Sequence, residues 1–238
     1  MLIIIMKSNI YPKTNKTYLK KKVNIKKYFK IVIKYLDRFK ENLDLVDVGC
    51  ASGDFLKLLS DKKKFSLTGI DFSKTSLNLA KKKVPSANFV LKDLKKKINL
   101  DKKFNICTCL GTLSAFDNKF LIINKLINIV KKKGELIIFD LINENDVNVL
   151  VRFQKNYEKK AEWLSGFNTF SKNYWTQNLR KNTKVKSFSF EKFNIKIKIP
   201  QNKKNPMLTW TIKSKNRNQI TVGTGQLLNY YFIKIKLK

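Results

Sequence analysis

At 238 residues the chain is long enough for one well-buried domain and too short for two comfortable ones. Its 43% hydrophobic and 12% aromatic content excludes a disordered polyelectrolyte, although the formal net charge is +34. Histidine is absent, which excludes imidazole as a base or a metal ligand.

Met1–Met6 is a short apolar start with no basic residues before it. No stretch reaches the roughly 18 apolar residues that a spanning helix needs. A cytoplasmic protein without membrane insertion is expected. Residues 1–42 are Lys-rich, and Tyr28, Phe29, Ile31, Val32, Tyr35, Leu36 and Phe39 recur at helical spacing. They predict an N-terminal helical segment ahead of a main domain spanning 43–238. Leu43–Val48 is an apolar run ending in glycine, hence a buried strand, and Gly53–Ser60 reads as a helix. Phe65–Asp71 is a second strand. Ser73 is placed to cap the helix that follows, with Pro85 beyond its end. Asn88–Leu91 and Phe104–Leu110 are a third and a fourth strand. Asp117 can cap a helix whose C-terminus Gly134 would suit, and Glu135–Leu141 is a fifth strand. Strands separated by helix-length segments imply a parallel sheet covered on both faces.

Beyond residue 142 the texture changes. Residues 143–182 are polar and aromatic, and 185–199 alternate with a change of parity near Glu191 or Lys192 that suggests a bulge. Ile233, Ile235 and Leu237 alternate with lysines. Two long strands joined by an insertion would add an antiparallel C-terminal edge. The expected fold is therefore α/β and Rossmann-like. It has a mostly parallel seven-stranded sheet, helices on both faces and a small inserted cap from 143–182 and 200–225.

The chemistry concentrates in Val46-Asp47-Val48-Gly49-Cys50-Ala51-Ser52-Gly53-Asp54, between a strand and a helix. Glycines permit a tight turn and close approach of a ligand to the backbone. A dinucleotide site wants G-x-G-x-x-G, whereas Gly49 and Gly53 stand four apart with Ala51 between. The following helix N-terminus suits a small carboxylate better than a pyrophosphate. Here the chain resembles class I S-adenosylmethionine-dependent methyltransferases, of whose first motif V-D-V-G-C-A-S-G is a common form. The resemblance continues in order through Gly69-Ile70-Asp71-Phe72-Ser73, Val90-Leu91-Lys92-Asp93-Leu94, Cys109-Leu110-Gly111-Thr112 and Lys133-Gly134-Glu135. It covers about residues 43–141. It implies S-adenosylmethionine as cofactor, held by Asp47, Gly49, Cys50, Ala51, Gly53, Asp71, Phe72, Asp93, Leu94, Leu110 and Gly111. Asp71 would accept hydrogen bonds from the ribose hydroxyls and Asp93 from the adenine amino group. The strand end Cys109-Leu110-Gly111-Thr112 would lie beside the sulfonium. Ala51 stands where many relatives have glycine. A positive φ there would cost about 1 kcal/mol.

With no histidine, a general base must be Asp, Glu, Tyr or Lys. Asp140, at the end of the fifth strand, is best placed, followed by Glu144, Asp146, Glu162 and Tyr157. Glu162 and Trp163 are the candidate acceptor contacts. The aromatic residues of 157–175 are either core and lid packing or the wall of an acceptor pocket. Cys50, Cys107 and Cys109 have no zinc-type spacing and read as buried thiols, and no metal is expected. Of the basic residues only four are arginine, and lysine, asparagine and isoleucine abound. That is the split of A/T-rich codons, so most of the charge is assigned to codon bias. Non-specific nucleic-acid binding through the lysines is still expected. A small-molecule acceptor is the leading reading. An RNA or protein acceptor, and a non-catalytic binding protein on the same fold, are the alternatives.

Overall fold

The computed structural model describes residues 26–39, 42–62, 64–96, 98–159, 161–215 and 217–238. The apolar start at Met1–Met6 lies outside them. Helix α1 (Lys27–Leu36) precedes β1 (Leu43–Val48), α2 (Asp54–Ser60), β2 (Phe65–Asp71), α3 (Lys74–Lys83), β3 (Asn88–Leu91) and β4 (Phe104–Leu110). Then come α4 (Lys119–Asn128), β5 (Val130–Asn143), the short strands β6 (Arg152–Gln154), β7 (Trp163–Ser165) and β8 (Phe170–Ser171), and α5 (Lys172–Lys181). Strands β9 (Val185–Lys192), β10 (Trp210–Ser214), β11 (Arg217–Thr221), β12 (Leu227–Leu228) and β13 (Tyr230–Leu237) complete the chain.

The main sheet runs β3-β2-β1-β4-β5-β13-β9, with β8 paired to the end of β5. Strands β1 to β5 pair in parallel, and β13 is antiparallel to both β5 and β9. Period-two alternation sends Leu45, Ile106, Ile137 and Phe139 to the face covered by α1, α2 and α3. Val46, Cys107, Leu136 and Ile138 go to the face covered by α4 and α5. The described part of the N-terminal segment belongs to this core. Phe29, Val32 and Leu36 of α1 are buried against Phe55 and Leu56, each contributing about 1.5–3 kcal/mol relative to exposure. The three cysteines are free and buried, and burial pushes their thiols above the ordinary range.

Three local expectations are corrected. Helix α4 is capped by Asn118, whose side chain accepts from the Leu121 amide, because Asp117 is engaged elsewhere. The helix stops at Asn128, and Gly134 lies inside β5, where the register against β4 shifts and a Cβ would meet the Asn105 carbonyl at 2.7 Å. The strand expected over 185–199 ends at Lys192. The parity change marks its end, since Phe193 and Ile195 turn away to pack on a second, three-stranded sheet of order β10-β11-β12.

Of the two insertions, 143–171 carries the β6–β7 hairpin, while α5 is part of the main body, with Trp175 0% exposed against α4. The second sheet packs Ile220, Val222 and Leu228 on Leu141 at the end of β5. No described helix is long and apolar enough to cross a membrane.

Candidate functional site

Parallel strands bring their C-terminal ends to one edge, where the connecting loops must open. The structure gathers the candidate residues of β1 to β4 along that edge. The turn after β1 has Gly49 at φ +77°, Ala51 at +47° and Gly53 at +76°, all left-handed. A Cβ on Gly49 would run into Thr112 Oγ1, and one on Gly53 would lie 3.0 Å from the Ala80 Cβ. Both glycines are thus required by space as well as by φ. Ala51 takes the positive φ without glycine's freedom.

The first amides of this turn bond within the protein. The Gly49 and Cys50 N–H groups donate to the Ile70 carbonyl at 2.8 and 3.1 Å. The Ala51 N–H donates to Asp71 Oδ2 at 2.9 Å. They tie the turn to the end of β2 and fix Asp71 in place. Asp71 Oδ1 also accepts from the Ser73 amide at 2.9 Å. The Phe72 amide adds a third backbone hydrogen bond to this carboxylate. Phe72, beside it, is exposed.

Asp47 faces the neighbouring strand, and its Oδ1 accepts from Thr108 Oγ1 at 2.7 Å. It is 4% exposed. Burial lifts its carboxyl to about 7, against the pull of the Thr108 hydrogen bond, with repulsion from Asp71 adding to the rise and Lys26 opposing it. Asp71 is raised by burial too, and its backbone hydrogen bonds hold it down. Asp47 and Asp71 are thus two buried acids on adjacent strand ends, with Lys26 as the cation that acts on Asp47.

Farther along the edge, Asp93 Oδ1 accepts from the Lys95 amide at 2.9 Å. Lys125 binds the Leu94 carbonyl at 2.8 Å and so pins this turn, with Leu94 buried in the core. Leu110 closes β4, and Gly111, at φ +79°, donates to the Phe139 carbonyl at 2.8 Å.

Sequence reasoning missed Lys26 and Tyr28. The Tyr28 ring stacks on Phe139 with centroids 4.3 Å apart, and Phe139 stacks on Tyr230 at 4.9 Å. The Tyr28 hydroxyl stands 3.7 Å from where a Gly111 Cβ would be. The first turn of α1 therefore closes on the strand edge. Only its helical phase was visible in the sequence, which makes no distinction between packing on a sheet and roofing a site.

Asp140 is not where a general base must be. It is 0% exposed and ion-paired with Lys119, also 0% exposed. The Lys119 ammonium further reaches the Asn168 carbonyl at 3.4 Å and lies 4.9 Å from the Phe170 ring. Buried on the α4–α5 face, Asp140 cannot meet an acceptor. The pair had a legible signal, a lysine in the apolar phase of α4 and an acid inside an apolar strand. Glu144 accepts from Lys192 and Tyr231, which hold its carboxyl below the usual range.

Glu162 and Trp163 lie at the start of β7, and Trp163 is 52% exposed. Their hairpin is anchored to the loop after β4. Arg152 is ion-paired with Asp117, and Arg152 Nη1 donates to Ser165 Oγ at 3.0 Å. The Asn168 side-chain amide donates to Asp117 Oδ1 at 3.1 Å. This network explains why Asp117 is unavailable to cap α4, and it seats the hairpin beside the edge that carries Gly111. Among the described residues no three His, Cys, Asp or Glu side chains are grouped to hold a metal.

Residues 39–183 match the family model described as a methyltransferase domain. The chain is 28% identical over 140 residues to protein 235L of Invertebrate iridescent virus 6, covering 58% of this chain and 51% of that one. It is 31% identical over 125 residues to a tRNA U34 carboxymethyltransferase of Nautilia profundicola, covering 48% of this chain and 41% of that one. The chain thus spans about half the length, or less, of these curated relatives. Among solved structures, a SAM-dependent methyltransferase from Methanosarcina mazei superposes with a TM-score of 0.58 at 14% identity, over 85% of this chain and 96% of that one. At that identity the likeness concerns the fold.

Proposed function

The chain belongs to the methyltransferase-domain family, and on that premise we propose that it transfers the methyl group of S-adenosylmethionine to a small-molecule acceptor. The observation that carries this reading is the pair of buried acids, Asp47 and Asp71, on either side of a glycine turn at one strand edge. S-adenosylmethionine bound there would supply an activated methyl group on a sulfonium. Asp71 would accept hydrogen bonds from the ribose hydroxyls, and Asp93 from the adenine amino group. Gly49, Cys50, Ala51 and Gly53 let the backbone approach closely. Phe72, Leu94 and Leu110 supply apolar wall. Asp47, buried at the end of β1, would offset part of the cofactor's positive charge. Gly111 leaves space at the end of β4, and Tyr28 covers it.

The protein's part in the transfer is orientation and exclusion of water. The segments 143–171 and 200–225, without α5, form the acceptor cap in this reading. Within them the β6–β7 hairpin offers Glu162 and Trp163 to a polar acceptor. Calorimetry with S-adenosylmethionine tests the proposal. Wild type should bind, and Asp71→Ala should bind at least tenfold more weakly, since each hydrogen bond to a carboxylate contributes about 1.5–3 kcal/mol. Absence of binding by the wild type, or equal binding by the variant, contradicts it.

A second reading is an RNA acceptor. It is favoured by the charge of +34 and by the similarity to an enzyme named for tRNA. A sequence-dependent RNA complex that survives about 200 mM salt supports it, whereas non-specific binding fades steeply with salt.

A further inference from the structure

The end of the sheet opposite the cofactor edge carries a cavity of about 220 Å³. It lies where β4 and β5 begin and β13 ends, beside the C-terminus of α4 and the loop into β9. Strand β4 spans seven residues, so the cavity is about 20–25 Å from Gly111. Its floor is apolar, made by the buried side chains of Ile127, Val130 and Leu237. Main-chain hydrogen bonds join its walls. The Lys238 amide donates to the Lys184 carbonyl at 3.0 Å, and the Lys133 amide to the Lys238 carbonyl at 3.1 Å.

Five of the ten residues that line it are lysine: Lys103, Lys131, Lys132, Lys184 and Lys238. Lysine and arginine make up 51 of the 238 residues, so composition alone would supply about two. None of the lining residues is acidic. The ion pairs of the described residues engage only Lys131 of the five, through Asp44, which it shares with Lys102. A terminal carboxylate on Lys238 would offset one further charge, and the end of the α4 dipole about half of another. The cavity stays positive after all three. Lys184 donates to Asn128 Oδ1 at 2.6 Å, which holds one ammonium at the rim and leaves the Asn128 amide N–H groups as donors. Thr183 adds a hydroxyl. Ammonium groups are point charges, whereas a planar carboxylate is better matched by the fork of arginine. The volume is below the roughly 300–1,000 Å³ of sites for drug-sized ligands. We propose that this cavity is a second binding site, for a small polyphosphate, separate from the cofactor edge. An RNA chain fits less well, since no aromatic ring lines the cavity for a base to stack on. The inference stands on the cavity alone and does not depend on methyl transfer.

Calorimetric titration of the full chain with inorganic triphosphate and with phosphate, at about 0.15 M salt, tests it. Triphosphate should bind at least about tenfold more tightly than phosphate, because each added charge meets a further ammonium. Lys103→Ser/Lys132→Ser should weaken triphosphate about tenfold and leave the melting temperature within a few degrees of wild type, both side chains being exposed. Lys213→Ser/Lys215→Ser removes the same two charges from exposed positions at the β10–β11 turn, and should stay within about twofold of wild type. No binding, equal affinity for phosphate and triphosphate, or equal losses from the two serine pairs overturns the proposal. So does a single-stranded RNA without terminal phosphates that displaces triphosphate and loses its own affinity in Lys103→Ser/Lys132→Ser.

Discussion

Lys119→Met should destabilise the protein by about 3–5 kcal/mol, the typical result of leaving one member of a buried ion pair without its partner. Both side chains of the pair are 0% exposed. Burial lowers the Lys119 pKa and raises that of Asp140, and the attraction between the two opposes both shifts. Methionine matches lysine closely in shape, so little of the loss comes from a cavity. What is left is a carboxylate in the core, with backbone hydrogen bonds from Leu141 and Ser114 in place of a cation. In a chain of this length each kcal/mol moves the melting temperature by about 2–4 °C, so a fall of about 6–20 °C is expected. Asp140→Leu strands the ammonium instead and should lose a similar amount. Lys119→Met/Asp140→Leu replaces the whole pair by apolar groups and should recover most of the stability. Circular dichroism on the four proteins gives the cycle, and calorimetry and turnover on the double variant complete it. Losses that simply add in the double variant refute the reasoning. A double variant that folds and binds cofactor yet transfers no methyl group would return Asp140 to the role of base.

Ala51→Gly should raise stability by about 0.5–1 kcal/mol. Relief of the left-handed φ of +47°, about 1–2 kcal/mol, exceeds glycine's extra unfolded-state entropy of about 0.4–1 kcal/mol, and a denaturant titration reads the difference. Asp47 titrates near about 7 when folded against 3.8 ordinarily, so the folded protein holds a proton that the unfolded chain has released. Cofactor-free stability should therefore fall as pH rises from about 4 to about 7. Affinity for the cationic cofactor should rise between about pH 6 and 8, and a flat calorimetric profile would remove Asp47 from the site. Trp163→Ala, at a side chain 52% exposed, should leave the melting temperature within a few degrees of wild type. If the hairpin lines the acceptor pocket, turnover should collapse while cofactor affinity stays unchanged.

The parallel pairing of the first five strands, and the ends at which the acids and glycines fall, were legible in the sequence. They follow from short-range rules: an apolar run long enough to cross a sheet, a glycine where the chain must turn, Ser73 where a helix needs a cap. The Gly49–Gly53 turn was readable for that reason, and so was the consequence of alanine at 51. Partners distant in the chain were not readable. The sequence offered Asp140 as an accessible acid, and the fold buries it beside a lysine 21 positions away. Asp117 looked like a helix cap until Arg152, 35 residues later, claimed its carboxylate. Tyr28 looked like one more apolar position on an amphipathic helix, and packing on Phe139 brought it to Gly111. Periodicity specifies which face of an element is apolar. Which partner fills that face, and whether a charge on it meets water or another charge, is decided only when the elements pack together, because the low dielectric that makes such pairing obligatory does not exist until the core has closed.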